Sequence, residues 1–323
     1  MSNKRAAHGA AELAVRLRSR ELSVAPAVID LLEEGGDPAR ELLAALSPRA
    51  LGGEPEGHII GITGAPGVGK SSLLGVLVEH WRSGGHSVAV LAVDPSSKRT
   101  GGALLGDRIR IAGRAAGGPA RFIRSMAAAE RVGGLAPATR AAAQVLAVAF
   151  DVVVIETVGV GQSETEVAEL ADTVAVVIQP GAGDSLQFLK SGLMEVPDVL
   201  VVTKADVGEP AVATLRDAQA ALRLAGSDER PALLVSALAP PAGIDALASA
   251  LDEHRAGIDL AARRLRNRRA GALADFIAEY GNHGLSAVGG RSAAERLLVA
   301  EEEDLDTMAL VDLLARHARL DKR

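Results

Sequence analysis

The octapeptide Gly64-Ala65-Pro66-Gly67-Val68-Gly69-Lys70-Ser71 constrains this chain more than any other feature. It fits the pattern G-x-x-x-x-G-K-[ST], follows the apolar run HIIGIT at 58–63, and opens the helix-spaced run SSLLGVLVEHW, which begins with Ser71-Ser72. Glycines without a Cβ let successive backbone N–H groups turn inward around a β-phosphate. The spacing places Lys70 to bridge β- and γ-oxygens and the Ser71 hydroxyl to ligate Mg²⁺, with the helix N-terminus facing the anion. The expected fold is therefore α/β, a mostly parallel sheet with helices on both faces.

The rest of the middle segment agrees. β-branched runs at 58–63, 87–93, 121–123, 151–155, 173–178, 199–202 and 232–235 alternate with helical stretches at 70–82, 135–149, 163–170, 210–224 and 243–255. Flanking segments are helical in pattern: two or three short helices over 6–48 broken by GGDP at 35–38, and longer ones at 259–280 and 293–318 separated by GNHGLSAVGGRS. The expected division is a helical extension at 1–52, a nucleotide domain at 53–256, and a second helical extension at 257–323.

Composition narrows the function. Net charge is −6 and only six residues are aromatic, which argues against a nucleic-acid partner. The apolar run at 145–155 is interrupted by Asp151 and is too short to span a bilayer, so no membrane role is expected. The absence of cysteine, with no apolar block at the start, points to a cytoplasmic address. Of 35 basic residues only six are lysine, and the four internal ones (Lys70, Lys98, Lys190 and Lys204) all fall in or beside loops that follow expected strands.

Ligands of such sheets bind beyond the carboxyl ends of the strands, so those loops carry the candidate chemistry. The run 151–155 ends in Glu156-Thr-Val-Gly159, an acid positioned for Mg²⁺ and a glycine amide positioned for a γ-phosphate. Asp94 ends another run, and Asp107 closes the Gly-rich stretch after it; either could join the metal or orient water. Thr203-Lys204-Ala-Asp206 is similar to the guanine-reading Asn-Lys-x-Asp loop. There Asp206 would accept from N1–H and the 2-amino group, the Lys204 stem would pack on the ring, and Thr203 would forgo a contact near N7. Ser236-Ala237-Leu238 matches the loop whose amide contacts guanine O6.

The stretches GAPGVGKSSL, VLAVDPSSKRTGGALLGDRIR, ETVGVGQSE and QPGAGDSLQFLKSG closely resemble the methylmalonyl-CoA mutase-associated GTPases of the MeaB/ArgK type over about 55–250. The resemblance implies a homodimeric GTPase that binds GTP, GDP and Mg²⁺. It also implies that the protein gates adenosylcobalamin loading and protects or reactivates an acyl-CoA mutase, the C-terminal extension supplying the dimer contact. By motif, Lys70 and Ser71 hold phosphate and metal, and Asp94, Asp107 and Glu156 serve Mg²⁺ or water. The loop around Asp184 and Lys190 is an extra switch toward the mutase, with Lys190 at the catalytic edge. No Gln follows Gly159, Val160 standing there instead, so slow intrinsic hydrolysis is expected. A metal-delivery GTPase and a transport-system kinase are the alternatives; the first would call for clustered His and Cys, whereas seven His are scattered and Cys is absent. The run Arg263, Arg264, Arg266, Arg268 and Arg269 reads as a solvated helix face, or as a basic patch pairing with the acidic 301–304 segment across a dimer.

Overall fold

A computed structural model describes residues 2–94, 121–127, 135–157, 166–181 and 197–320, with backbone alone for residues 2–8 and 94. Contacts divide the chain into two units, His58–Leu135 with Asp151–Ile258, and Met1–Gly57 with Ala136–Phe150 and Asp259–Arg323.

The helical unit begins with α1 (Ser2–Arg18), α2 (Ala25–Glu34), α3 (Gly36–Ala45) and the single turn α4 (Pro48–Leu51). The nucleotide unit follows with β1 (His58–Thr63), α5 (Lys70–Ser83), β2 (Val88–Asp94) and β3 (Arg121–Ala127). The chain returns to the helical unit for α6 (Pro137–Leu146), which contacts α2. It then resumes the nucleotide unit with β4 (Val152–Thr157), β5 (Thr173–Ile178), β6 (Val199–Val202), α7 (Glu209–Leu224), β7 (Ala232–Leu234) and α8 (Ile244–Gly257). It closes with α9 (Leu260–Ala287), α10 (Arg291–Ala300) and α11 (Thr307–His317).

The seven strands form one parallel sheet in the order β3-β2-β4-β1-β5-β6-β7. β1 is central, and β4 and β5 flank it on either side, so the loop after β1 emerges where the strand order reverses, which is where such sheets bind ligands. β1, β4, β5 and β6 are buried at every residue, as a sheet covered on both faces requires. On one face, Ile60, Ile62, Val154, Ala175, Val177 and Val201 pack with Leu73, Leu74 and Leu77 of α5 and Leu247 and Leu251 of α8.

Side chains also lock the amino edge of the sheet. Asp151 Oδ2 accepts from Ser87 N at 2.7 Å, Asp172 Oδ2 from Ile59 N at 2.9 Å, and Asp198 Oδ2 from Val174 N at 2.9 Å. Each carboxylate satisfies an N–H at or beside the start of a neighbouring strand, where the ladder would leave a donor unpaired. A chain of contacts, buried at His58 and Thr173 and half-buried beyond them, runs beside them. His58 Nε2 lies 2.8 Å from Thr173 Oγ1, which lies 2.9 Å from His254 Nδ1, while His254 Nε2 lies 3.2 Å from Asp198 Oδ1.

The helical unit departs from sequence expectation in three places. The expected single helix at 293–318 is two helices, because Asp306 caps α11 by accepting from Ala309 N at 2.9 Å. The break expected at GNHGLSAVGGRS falls at Gly281, whose φ 61° and ψ −160° are not helical, but the segment after it is helical rather than a turn: a second helical stretch, included in α9, runs to Ala287 before the chain turns at Gly289 and Gly290. The basic run is only partly solvated: Arg266 is exposed, but two of its arginines are buried. Arg264 and Arg268, each 5% exposed, stand four residues apart on α9. Arg264 donates to the carbonyls of Pro55 (2.5 Å) and Gly57 (2.6 Å), and Arg268 to Glu54 Oε1 and Glu303 O (both 2.7 Å). These arginines thus pin the segment 54–57 ahead of β1 and reach the acidic segment within one chain.

Burial pushes the His58 imidazole below the ordinary histidine value, against the opposing pull of Asp252 and Asp172. The folded state therefore keeps His58 neutral where the unfolded chain binds a proton. Stability is expected to be full above about pH 6.5 and to fall below it, by up to about 1.4 kcal/mol per pH unit for one proton. Urea unfolding at pH 7.5 and 5.5 checks this: His58→Gln should be less stable than wild type at 7.5 yet lose less on acidification.

Candidate nucleotide-binding site

The loop after β1 is built on glycines in backbone conformations that other residues rarely adopt. Gly64 has φ 139°, and a Cβ there would lie 2.1 Å from the carbonyl oxygen of Val177 on β5. Gly67 (φ 79°) and Gly69 (φ 97°) also take left-handed backbone, so Gly64, Ala65, Pro66, Gly67, Val68 and Gly69 curl into a cradle ahead of α5. The cradle ends at the first turn of α5, where Lys70, Ser71 and Ser72 stand at the positive end of the helix dipole.

Lys70 is 7% exposed, and its ammonium donates to Gly64 O at 2.5 Å and Ala65 O at 2.9 Å, which holds it at the cradle's mouth. Glu156 is the fifth residue of β4, paired in register with Ile62 of β1. Its Oε1 accepts from Ser71 Oγ at 2.7 Å, and it too is 7% exposed. Below it the buried hydroxyls of Thr157 and Thr63 meet at 3.0 Å. A buried carboxylate touching a hydroxyl at a phosphate cradle is a hard-oxygen donor set of the kind Mg²⁺ selects, so the residues present fit that ion.

Beside the cradle a cavity of about 420 Å³ is lined by Val68, Ser72, Thr203, Lys204, Asp206 and Leu238, with Ala237 among its further walls. Thr203 Oγ1 lies 2.6 Å from Val68 O and 3.0 Å from Ile178 O, so this buried hydroxyl ties the loop after β6 to both the cradle and the end of β5. Asp206 Oδ1 accepts from Ser236 Oγ at 2.7 Å, and Leu238 N donates to Ser236 Oγ at 3.2 Å. Ser236 thus orients the carboxylate expected to read the base edge. Lys204 has φ 56°, and its ammonium donates to Gln179 Oε1.

The sheet brings together Gly64 through Ser72, Glu156, Thr203, Lys204, Asp206, Ser236, Ala237 and Leu238. The backbone of Asp94 ends β2, one residue beyond the pairing of Val93 with Thr157. Asp107, Gly159 and Lys190, with Lys98 and Asp184, lie outside the described residues. Sequence reasoning missed Gln179; its only sequence signal is its place immediately after β5, on the edge where the other loops gather.

The profile of the methylmalonyl-CoA mutase-associated GTPase MeaB family matches residues 26–283. The Probable GTPase Rv1496 of Mycobacterium tuberculosis is 41% identical over 249 residues, 75% of this chain and 74% of its own. The mitochondrial methylmalonic aciduria type A homolog of Caenorhabditis elegans is 42% identical over 162 residues, half of this chain and 40% of its own. Among solved structures, one described as an LAO/AO transport system kinase matches with TM-score 0.63 and 26% identity, covering 96% of this chain and 97% of that one.

Gly64→Ala would force a Cβ against backbone that cannot rotate away. We expect a loss of at least about 2 kcal/mol in urea unfolding, together with loss of nucleotide binding measured by calorimetry.

Proposed function

The chain belongs to the MeaB family of methylmalonyl-CoA mutase-associated GTPases, and from that premise we propose that its GTP cycle gates adenosylcobalamin loading onto an acyl-CoA mutase and protects or reactivates that enzyme. It binds guanine nucleotide and hydrolyses GTP, as its family does. The observation that carries the reading is the pairing of two sites on one sheet edge: Ser71 against Glu156 at the phosphate cradle, and Asp206 held by Ser236 in the adjoining cavity.

Phosphoryl transfer asks the protein for positioning and charge neutralisation rather than a covalent residue. In the proposed mechanism the cradle's backbone N–H groups bind the β-phosphate, and Lys70 leaves the carbonyls of Gly64 and Ala65 for β- and γ-oxygens. The Ser71 hydroxyl and the Glu156 carboxylate would hold Mg²⁺, with Asp94 at the same edge. Bound there, the ion would supply charge neutralisation on the transferring phosphate. Asp107 orients the attacking water, Gly159 donates to the γ-phosphate, and Lys190 acts from the loop toward the mutase; these three rest on the sequence motifs. Asp206 accepts from N1–H and the 2-amino group of guanine, a pattern adenine lacks, while an amide of the Ser236-Ala237-Leu238 loop contacts O6. Without a Gln after Gly159, intrinsic hydrolysis is slow and the partner accelerates it by ordering the loops. The protein acts in the cytoplasm as a homodimer joined through 257–323. Among the described residues no helix is long and apolar enough to cross a membrane.

Two tests address the site and the partner. Ser71→Ala and Glu156→Gln should each lower GTP turnover about 10²-fold or more, and Asp206→Asn should move preference from GTP toward XTP, read by steady-state kinetics. For the partner, mutase affinity should differ among the GTP, GDP and nucleotide-free forms, and the mutase should alter the GTP-over-GDP preference by the same factor. Equal mutase affinity for all three forms would end the gating proposal.

A further inference from the structure

Lys204 is one of three non-glycine residues with positive φ among those described. The other two have an ordinary cause. Arg20 and Arg319 each lie two residues beyond the last residue of a helix (α1 and α11), the usual left-handed helix stop, and each is followed by the matching backbone bond, Glu21 N to Arg16 O and Leu320 N to Ala315 O (both 3.0 Å). Lys204 ends no helix. It follows β6 and precedes the single turn Ala205–Val207. A lysine keeps that backbone only where its surroundings over-determine it, and such positions cluster at ligand sites.

The surroundings are specific. Thr203 N donates to Ile178 O at 2.9 Å, and Ala205 N donates to Val235 O at 3.0 Å, so the residues on either side are fixed to β5 and to the end of β7's run. The Lys204 side chain then reaches the residue directly after β5, where its ammonium meets Gln179 Oε1. Lys204 also lines the cavity that holds Asp206 and Leu238. The ammonium is therefore anchored at one end and the Cα at the other, in a residue that forms part of the cavity wall. We infer that Gln179 is a positioning residue for nucleotide binding, one that holds Lys204 so that its stem presents a fixed apolar surface to the purine ring. The inference rests on the guanine-site reading above.

A long flexible side chain loses rotamer freedom when it packs on a ring, and anchoring it beforehand removes that loss from the binding step. The contribution belongs to ground state and transition state alike, so it acts on affinity and leaves the chemical step untouched. It is also blind to the base edge, which Asp206 reads.

The test compares wild type, Gln179→Leu and Gln179→Glu as the full chain, measuring KM and kcat for GTP and for ITP, and Kd for GDP. Gln179 is only half-buried, so neither change threatens the fold. Gln179→Leu, which keeps bulk and removes the acceptor, should raise KM for both nucleotides and Kd for GDP about five-fold. The GTP:ITP ratio should not change, and kcat should stay within about two-fold. Gln179→Glu, which keeps an acceptor, should restore wild-type values. Unchanged KM and Kd in Gln179→Leu, a fall in kcat that accounts for the loss in kcat/KM, a shifted GTP:ITP ratio, or no rescue by Glu would each overturn the inference. If wild type binds no guanine nucleotide, the guanine-site reading falls and this inference with it; normal wild-type binding with an unaffected Leu variant removes only the role of Gln179.

Discussion

At Gly64 the backbone passes so close to the carbonyl of Val177 that nothing larger than hydrogen fits between them. That approach fixes the phosphate cradle against β5 rather than against β1 alone. The next residue of β5, Ile178, accepts from the N–H of Thr203, and the one after it, Gln179, accepts from Lys204. The carboxyl end of β5 thus serves as a common reference for the phosphate loop and the base loop. Thr203 closes the triangle through Val68 O. A nucleotide spanning the two loops, as proposed, would meet backbone whose spacing is already set, so that reorganisation is confined to side chains such as Lys70.

The opposite edge of the sheet serves the same geometry differently. Strands buried on both faces have little amphipathic pattern to hold their register, since a slip by one residue exchanges one apolar face for another. Asp151, Asp172 and Asp198 supply the missing specificity by tying strand starts to their neighbours. The contacts from His58 through Thr173 and His254 to Asp198 add α8 to that arrangement.

The nucleotide unit was largely legible in the sequence because its signals are local. Runs of Val and Ile gave seven strands with boundaries close to those observed, though 121–123 proved to be the start of the longer β3 (Arg121–Ala127). Gly-x-x-x-x-Gly-Lys-Ser and Thr-Lys-x-Asp located the two loops because few residue types can meet their backbone demands. What stayed hidden depends on distant partners. Thr203 read as a lost base contact, whereas its hydroxyl is committed to Val68 and Ile178, far away in sequence. Gln179 belongs to no motif. Arg264 and Arg268 read as solvated charge because only the fold brings the carbonyls of Pro55, Gly57 and Glu303 to them. Gly281 does interrupt α9, as its residue type suggests, but the short helical stretch beyond it was hidden, because Leu285 and Val288 pack against the cluster that holds Phe276 and only the fold shows that contact.

Helix α6 sits in the sequence between two strands of the nucleotide sheet but belongs to the other unit, where it contacts α2 and α9, and Arg140 on it pairs with Asp275 of α9 at 2.8 Å. The two units are therefore threaded through each other along the chain rather than strung one after the other. No pair of cuts separates one unit cleanly from the other. A piece spanning 58–258 would carry an orphaned helix whose arginine has lost its carboxylate, and the remainder would lack that helix. Modular exchange between relatives, by nature or by engineering, must then swap both units together or carry α6 as a separate graft.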